Sequence, residues 1–433
     1  MMVRADDSSV RRAAERLGLP LADAVLRALR HDLAPGEPAP TILAVCPNSE
    51  AVVKAAMRAA REAQAPLFFA ATLNQVDLDG GYTGWTPQQF VGTARQLADV
   101  EGYAGPVVIG LDHGGPWLKD LQTREKWPLE RAMQGVKDSL AACLDAGYDL
   151  LHVDPTVDRT LPPDQGMPIE VVIARTLELI SFAESHRRRA GLPPVSYEVG
   201  TEEVHGGLAD PSVFRGFLEG LRTGLAEQAF GDTMPCFVVG KVGTDLHTTV
   251  FDPAVARRLA SIGAEYGVAI KGHYTDSVSN AEAYPESGMG GANVGPEFTE
   301  AEYEALAALA RKEEAAARHG RIASPSGVMA ALRQAVVESG RWEKWRLPEE
   351  AGLSFAQLSP ERQGWLVRTG CRYIWTRPGV AASRRALYAN LGGAGEEAEE
   401  AVLRAIGEVL HRYFRAFRLT GTLGRIAEAL QAR

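Results

Sequence analysis

Eight short apolar runs separated by longer amphipathic stretches constrain the fold of this chain more than any other feature. They are TILAVCP (41–47), APLFFAATLNQ (65–75), PVVIGLDHG (106–114), YDLLHVDPT (148–156), VSYEVGTEE (195–203), MPCFVVGKVG (234–243), GVAIKGHYT (267–275) and GANVGPEF (291–298). Most are continuous rather than alternating, the pattern of strands covered on both faces. Several intervening segments, such as SEAVVKAAMRAAREA and PLERAMQGVKDSLAACLDAG, open on a capping residue or proline and close at Gly. Eight such units predict an α/β fold, a (β/α)8 TIM barrel with an N-terminal helix and a C-terminal helical extension. Periodicity alone leaves an open doubly wound sheet as the alternative.

The expected boundaries are 1–40 for an N-terminal helical segment and Pro-rich linker (APGEPAP), 41–322 for the barrel, and 323–433 for the helical extension. Residues 1–40 show one helical stretch. The extension carries aromatic and basic residues in RWEKWRLP, GCRYIWTRP and HRYFRAF, and reads as a helical cap or an oligomer contact.

Polar residues embedded in the apolar runs lie at their carboxyl ends: Asn74 and Gln75, Asp112 and His113, His152 and Asp154, Glu198 with Glu202 and Glu203, Lys241 and Asp245, His273 and Asp276, and Asn293. In a parallel barrel those ends converge on one mouth, where loops build the active site. Any one histidine alone reads as a hydrogen-bonded residue. Five of the nine, His113, His152, His205, His247 and His273, fall at or just beyond strand ends. Three neutral imidazoles with a carboxylate bind a divalent metal such as zinc, manganese, cobalt or nickel.

Elimination narrows the classes. Lys+Arg 46 against Asp+Glu 55 leaves a net charge of −9, which disfavours nucleic acid as a partner. No apolar run reaches membrane-spanning length and no signal-peptide pattern opens the sequence, so a cytoplasmic protein is expected. The four cysteines, Cys46, Cys143, Cys236 and Cys371, form no C-x-x-C pair and read as small buried hydrophobes. P-loop, dinucleotide-fingerprint, G-x-S-x-G and H-E-x-x-H motifs are absent. The stretch ESGMGGANVG (286–295) fits either a phosphate site or a tight turn.

TLNQVDLDGGYTGWTPQQF (72–90), followed in order by GLDHGGPW (110–117), HVDPT (152–156), KVGTDLHTTVF (241–251), GHYTDSVS (272–279) and NVGPEFT (293–299), resembles the large, "non-catalytic" subunit family of tagatose-1,6-bisphosphate aldolase. That family is related to class II ketose-bisphosphate aldolases and to ketose C4 epimerases. The resemblance covers roughly residues 40–300. It implies Asp112 as catalytic base, His113, His247 and His273 as metal ligands with Glu198, and Glu202 or Glu203 as a further proton carrier. Asn74, Gln75, His152, Asp154, Lys241, Asp245, Asp276 and Asn293 are then the substrate-binding candidates. One departure stands out: catalytic relatives follow the seventh-strand histidine with a Gly-Ser-rich phosphate loop, whereas this chain reads His273-Tyr-Thr-Asp-Ser-Val-Ser.

A metal-dependent retro-aldol step follows from that resemblance. The C4 hydrogen of a 2-ketose is not adjacent to the carbonyl, so C4 epimerisation is reached by opening and remaking the C3–C4 bond. The expected activity is a metal-dependent C4 epimerase of the fructose/tagatose type, acting on a ketohexose or its phosphate or uronate. A class II tagatose-bisphosphate aldolase and a stabilising subunit are the alternatives. The last predicts decay of the ligand set, which is present. A Schiff-base Lys241 is a further rival, disfavoured by the histidines. A homo-oligomer, or a complex with a second aldolase subunit, is expected.

Overall fold

The computed structural model describes residues 6–162, 167–200, 209–244, 249–392 and 396–431. The eight apolar runs form eight parallel strands: β1 (Ile42–Val45), β2 (Leu67–Thr72), β3 (Val107–Gly114), β4 (Leu150–Val153), β5 (Ser196–Gly200), β6 (Phe237–Val239), β7 (Ala269–Gly272) and β8 (Gly291–Val294). They pair in chain order, and β1 hydrogen-bonds β8 with Ala44 opposite Asn293, which closes the barrel. The open-sheet alternative is thereby excluded.

Two helices precede the barrel, α1 (Asp7–Arg16) and α2 (Leu21–Leu29), where the sequence showed a single stretch. Gly18, at φ 64°, and Pro20 break it. Both helices sit beneath the barrel. Arg11 donates to the Val107 carbonyl at 2.8 Å and pairs with Asp149 at 2.5 Å, and Asp23 accepts from Ser196 at 2.6 Å, all at strand amino ends.

The barrel helices are α3 (Glu50–Ala63), α4 (Pro87–Glu101), α5 (Asp120–Arg124), α6 (Leu129–Ala146), α7 (Ile169–Ala190), α8 (Pro211–Glu227), α9 (Pro253–Glu265), α10 (Ala283–Glu286) and α11 (Pro296–Arg318). Their ends follow the local chemistry. Ser49, Thr86, Asp210 and Asp252 cap the first turns of α3, α4, α8 and α9 with side-chain oxygens. Gly102, Gly147 and Gly191 take the left-handed conformation that ends α4, α6 and α7. After β7 the chain makes only the single turn of α10. The glycines that follow turn into β8 at its amino end, away from the mouth: a Cβ at Gly290 would lie 2.5 Å from Ala269 Cβ.

The extension comprises α12 (Val328–Ser339), α13 (Pro360–Gly370), α14 (Pro378–Asn390), α15 (Glu396–Ala416) and α16 (Thr422–Gln431), with 3-10 turns that include Arg341–Trp345 and Cys371–Tyr373. α15 packs on α3 and α11, and α16 on α1 and α2. Tyr413 and Phe414 of α15, and Phe417 just after it, are fully buried in the same apolar cluster as the barrel. At roughly 1.5–3 kcal/mol per buried side chain of this kind, the extension is fastened to the barrel by its own core. All four cysteines are unbridged. Among the described residues no helix is long and apolar enough to cross a membrane.

Candidate metal centre and active site

Strand alternation aims most of the site. His152 and Asp154 are two apart at the end of β4, Glu198 and Gly200 two apart on β5, and Lys271 and His273 two apart at the end of β7, so each pair shares a face. Gly200 leaves the room: a Cβ there would stand 3.1 Å from Asp154 Oδ1. β3 behaves differently. Asp112 and His113 are adjacent and should point apart, yet the pairing of β3 with β4 slips between Leu111 and Gly114, and His113 sits at φ 52°. This irregularity turns both side chains to the site. Gly114 and Gly115 let the chain pass: a Cβ at Gly115 would fall 1.7 Å from the Asp154 carbonyl oxygen.

Asp112, His152, Glu198 and His273 are all buried, and one ligand-type atom from each lies within 4.8 Å of the others. His273 Nε2 stands 3.0 Å from Glu198 Oε1 and 3.7 Å from Asp112 Oδ1; His152 Nδ1 stands 3.1 Å from Asp112 Oδ1 and 3.8 Å from Glu198 Oε1. Lys271 donates to Glu198 Oε2 at 2.5 Å, and Asn293 donates to Asp112 Oδ2 at 3.1 Å. A second group shares His152: His113 Nδ1 lies 2.7 Å from Asp154 Oδ2, and Thr156 donates to Asp154 Oδ1 at 2.5 Å.

The charges follow from this geometry. Burial alone would raise Asp112, but the imidazoles of His113, His273 and His152 hold it well below the usual carboxylate range. Burial likewise opposes ionisation of Glu198, yet Lys271 and the histidines keep it at about 2. Burial is outweighed at His113 too, where the Asp112 and Asp154 carboxylates carry the imidazole up to about 9. Burial pushes His273 down, towards the neutral form that ligates metals.

Donors on a tetrahedral cation at bond lengths of about 2.0–2.2 Å lie roughly 3.3–3.6 Å apart. Four of the six separations among Asp112, His152, Glu198 and His273 span 3.0–3.8 Å, around that value, although His152 Nδ1 also accepts the His113 N–H at 3.1 Å. The buried His152 Nε2 and His273 Nδ1 have no hydrogen-bond partner. His113 has the arrangement of a metal histidine, one ring nitrogen held by a carboxylate and the other, Nε2, aimed 3.8 Å from Asp112 Oδ2. The donor set therefore fits a divalent cation.

Above the cluster opens a cavity of about 200 Å³ lined by Asn74, Gln75, Asp112, His113, His273, Asp276 and Asn293. Of these, Asn74 ties the loop after β3 in place, donating to the Leu118 carbonyl and accepting from Asp120 N–H. Gln75 is held between Thr72 N–H and Asn48. Asp276 Oδ1 accepts the N–H groups of Gly295 and Glu297 at 2.9 and 2.8 Å. His152 and Asp154 are packed among the cluster rather than lining the cavity. Lys241, half-buried beyond β6, accepts Ala209 N–H at its carbonyl. Glu202, Glu203, Asp245 and His247 lie outside the described residues.

Sequence reasoning missed two sets. Lys271 stood in plain view, a cation inside an apolar run two residues before His273. Arg341, Lys344, Trp345, Arg372 and Tyr373 of the extension also line the cavity, with Tyr82 and Tyr274. Their aromatic-basic runs were visible, but nothing in them marks which end of the barrel they cover.

Fold and site together define a closed (β/α)8 barrel whose mouth carries a buried imidazole–carboxylate cluster suited to a divalent cation. The resemblance read from the sequence is borne out. Residues 28–214 match the family described as D-tagatose-1,6-bisphosphate aldolase subunit GatZ/KbaZ-like. The chain is 27% identical over 427 residues to D-tagatose 6-phosphate 4-epimerase of Agrobacterium fabrum, covering 88% of this chain and 95% of that protein. A probable tagatose 6 phosphate kinase from Sinorhizobium meliloti 1021 has the same fold, with a TM-score of 0.68 at 24% identity over 87% of this chain and all of the other. So does a fructose-bisphosphate aldolase from Campylobacter jejuni, at 0.53 and 11% over 97% of each chain.

Proposed function

We propose that this chain is a divalent-metal-dependent ketohexose 6-phosphate C4 epimerase of the fructose/tagatose type, working by retro-aldol and aldol chemistry at C3–C4. The observation that carries the proposal is Asp112: an ionised, buried carboxylate at the floor of an open cavity, set against the cation-type cluster. The substrate class is that named for the Agrobacterium relative.

With Asp112 kept for proton transfer, His152, Glu198 and His273, joined by His113, would hold a divalent cation, which when bound would supply Lewis acidity towards the ketose oxygens. Asp112 takes the proton of the C4 hydroxyl as the C3–C4 bond opens, and the bonding pair stays on the C1–C3 fragment. Asn293, holding Asp112 Oδ2, aims the carboxylate. When the aldehyde turns over and the bond re-forms on its other face, Asp112 returns the proton to the C4 oxygen. Lys271 keeps Glu198 ionised throughout. An aldolase differs in one respect, since the C1–C3 fragment must then be protonated at C3, the role proposed for Glu202 or Glu203.

Incubation of the metal-reconstituted chain alone with fructose 6-phosphate, tagatose 6-phosphate, the 1,6-bisphosphates, the free sugars and the uronates tests this. A C4 epimer without free triose is the expected product. Triose release would replace the epimerase with the aldolase, and no turnover of any of them would sink both in favour of a stabilising subunit.

A further inference from the structure

In the loops after β7 and β8, side-chain carboxyl groups take up the backbone N–H groups of Ser277, Gly295 and Glu297. Asp276 occupies the N–H groups of Gly295 and Glu297, and Glu297 Oε2 accepts Ser277 N–H at 2.8 Å. Two acidic side chains thus occupy amides that a phosphate would need there. The part of the cavity lining that the extension supplies has the reverse character. Arg341 and Lys344, on one 3-10 turn of the extension, and Arg372, on the other, all line it. Arg341 and Lys344 pair with Asp120, and Arg341 Nε has no partner.

Arg372 is the telling residue. It is only 7% exposed, its Nε is unpartnered, and among the described residues it makes no ion pair. Burial opposes its charge, and the groups that support it are the phenols of Tyr373, Tyr82 and Tyr274. Its guanidinium lies 5.0 Å from the Trp345 ring and 4.9 Å from the Tyr373 ring, which fix it in place. A buried guanidinium without a carboxylate costs stability unless an anion completes it.

We propose that the C-terminal extension, through Arg372, Arg341 and Lys344, forms the phosphate-binding end of the active site, which grips the terminal phosphate ester of the ketose whose C3–C4 bond lies at the metal centre. This rests on the epimerase reading for the sugar, but the anion site stands on its own geometry. Guanidinium forks match phosphate oxygens in pairs, and Lys344 adds a point charge at the rim.

Calorimetric titration of the full chain with fructose 6-phosphate, fructose, fructuronate and inorganic phosphate reads the site directly. Fructose 6-phosphate is expected to bind tighter than fructose or fructuronate, and Arg372→Gln to weaken it by roughly 10- to 100-fold, the size of a charge-assisted paired contact, with fructose unchanged. Lys344→Gln, at a side chain 44% exposed, is expected to give a smaller loss in the same direction and guards against misfolding of the Arg372 variant. Equal binding of fructose and its phosphate, or a phosphate preference that survives both substitutions in folded protein, overturns the proposal. Turnover separates the two ideas. Intact epimerisation with an unchanged KM in Arg372→Gln removes the clamp and leaves the activity, whereas an Arg372-dependent phosphate preference without turnover of any ketose phosphate does the opposite.

Discussion

Lys271→Met probes the buried pair that sets the charge of the site. Lys271 is 1% exposed and Glu198 is fully buried, with Nζ and Oε2 2.5 Å apart. At an effective dielectric of about 20 the gross attraction is roughly 7 kcal/mol, most of it offset by dehydrating both ions. Removing one partner leaves Glu198 buried and uncompensated, which costs about 3–5 kcal/mol. Met keeps the stem that packs beside Gly291 and the Phe237 ring, so the loss reports charge rather than a void. Urea unfolding of metal-free protein, followed by tryptophan fluorescence, is the assay. Glu198→Gln in the Lys271→Met background is expected to recover about 2 kcal/mol, because it removes the stranded charge. Zinc is expected to stabilise Lys271→Met more than the wild type, since a cation beside Glu198 takes over part of the role of the lysine. If metal-free Lys271→Met lies within about 1 kcal/mol of the wild type, or Glu198→Gln brings no recovery, the ion pair is not what holds this site.

Three further outcomes are expected. Asp112→Asn should lower kcat by roughly 10²- to 10⁴-fold, the usual contribution of a positioned base, while folding normally; full activity would remove Asp112 from the chemistry. His113, protonated up to about 9 in metal-free protein because the Asp112 and Asp154 carboxylates outweigh its burial, must shed a proton to ligate. Zinc affinity measured by competition with a chelator should therefore climb between pH 6 and 9 and level off above, and a flat profile would exclude His113 as a ligand. Asp276, lifted to about 7 chiefly by burial, retains in the folded state a proton that the unfolded chain releases near 4. Its contribution to stability is thus present below about pH 4 and lost as pH rises towards 7. Asp276→Asn, which keeps an acceptor for the Gly295 and Glu297 amides, should gain on the wild type by on the order of 1 kcal/mol between pH 5 and 8, and parallel pH curves for the two proteins would refute it.

The strands, the barrel and the rim of polar residues were legible in the sequence because each depends on local pattern. A continuous apolar run marks a strand covered on both faces, and a polar residue at its carboxyl end marks the mouth. Asp112, Glu198, His273 and Asn293 were found in this way, and the structure brings them together with His152, which alternation places on the face of Asp154. Closure was not legible, since it is decided by hydrogen bonds between β1 and β8 that lie about 250 residues apart in the chain. Nor was the way Asp112 and His113 come to face one site, because that depends on a slipped register against β4 and a left-handed backbone at His113.

The extension shows the same divide most sharply. Its sequence determined helices rich in arginine and aromatics, and those elements formed. Only the tertiary structure decided that two short 3-10 turns carry Arg341, Lys344 and Arg372 onto the cavity, because their positions are set by packing of α12, α13 and α15 on the barrel rather than by any periodicity of their own. Local chemistry specifies what an element is. Where a buried guanidinium points is settled by the long-range contacts that leave it facing a cavity instead of a carboxylate.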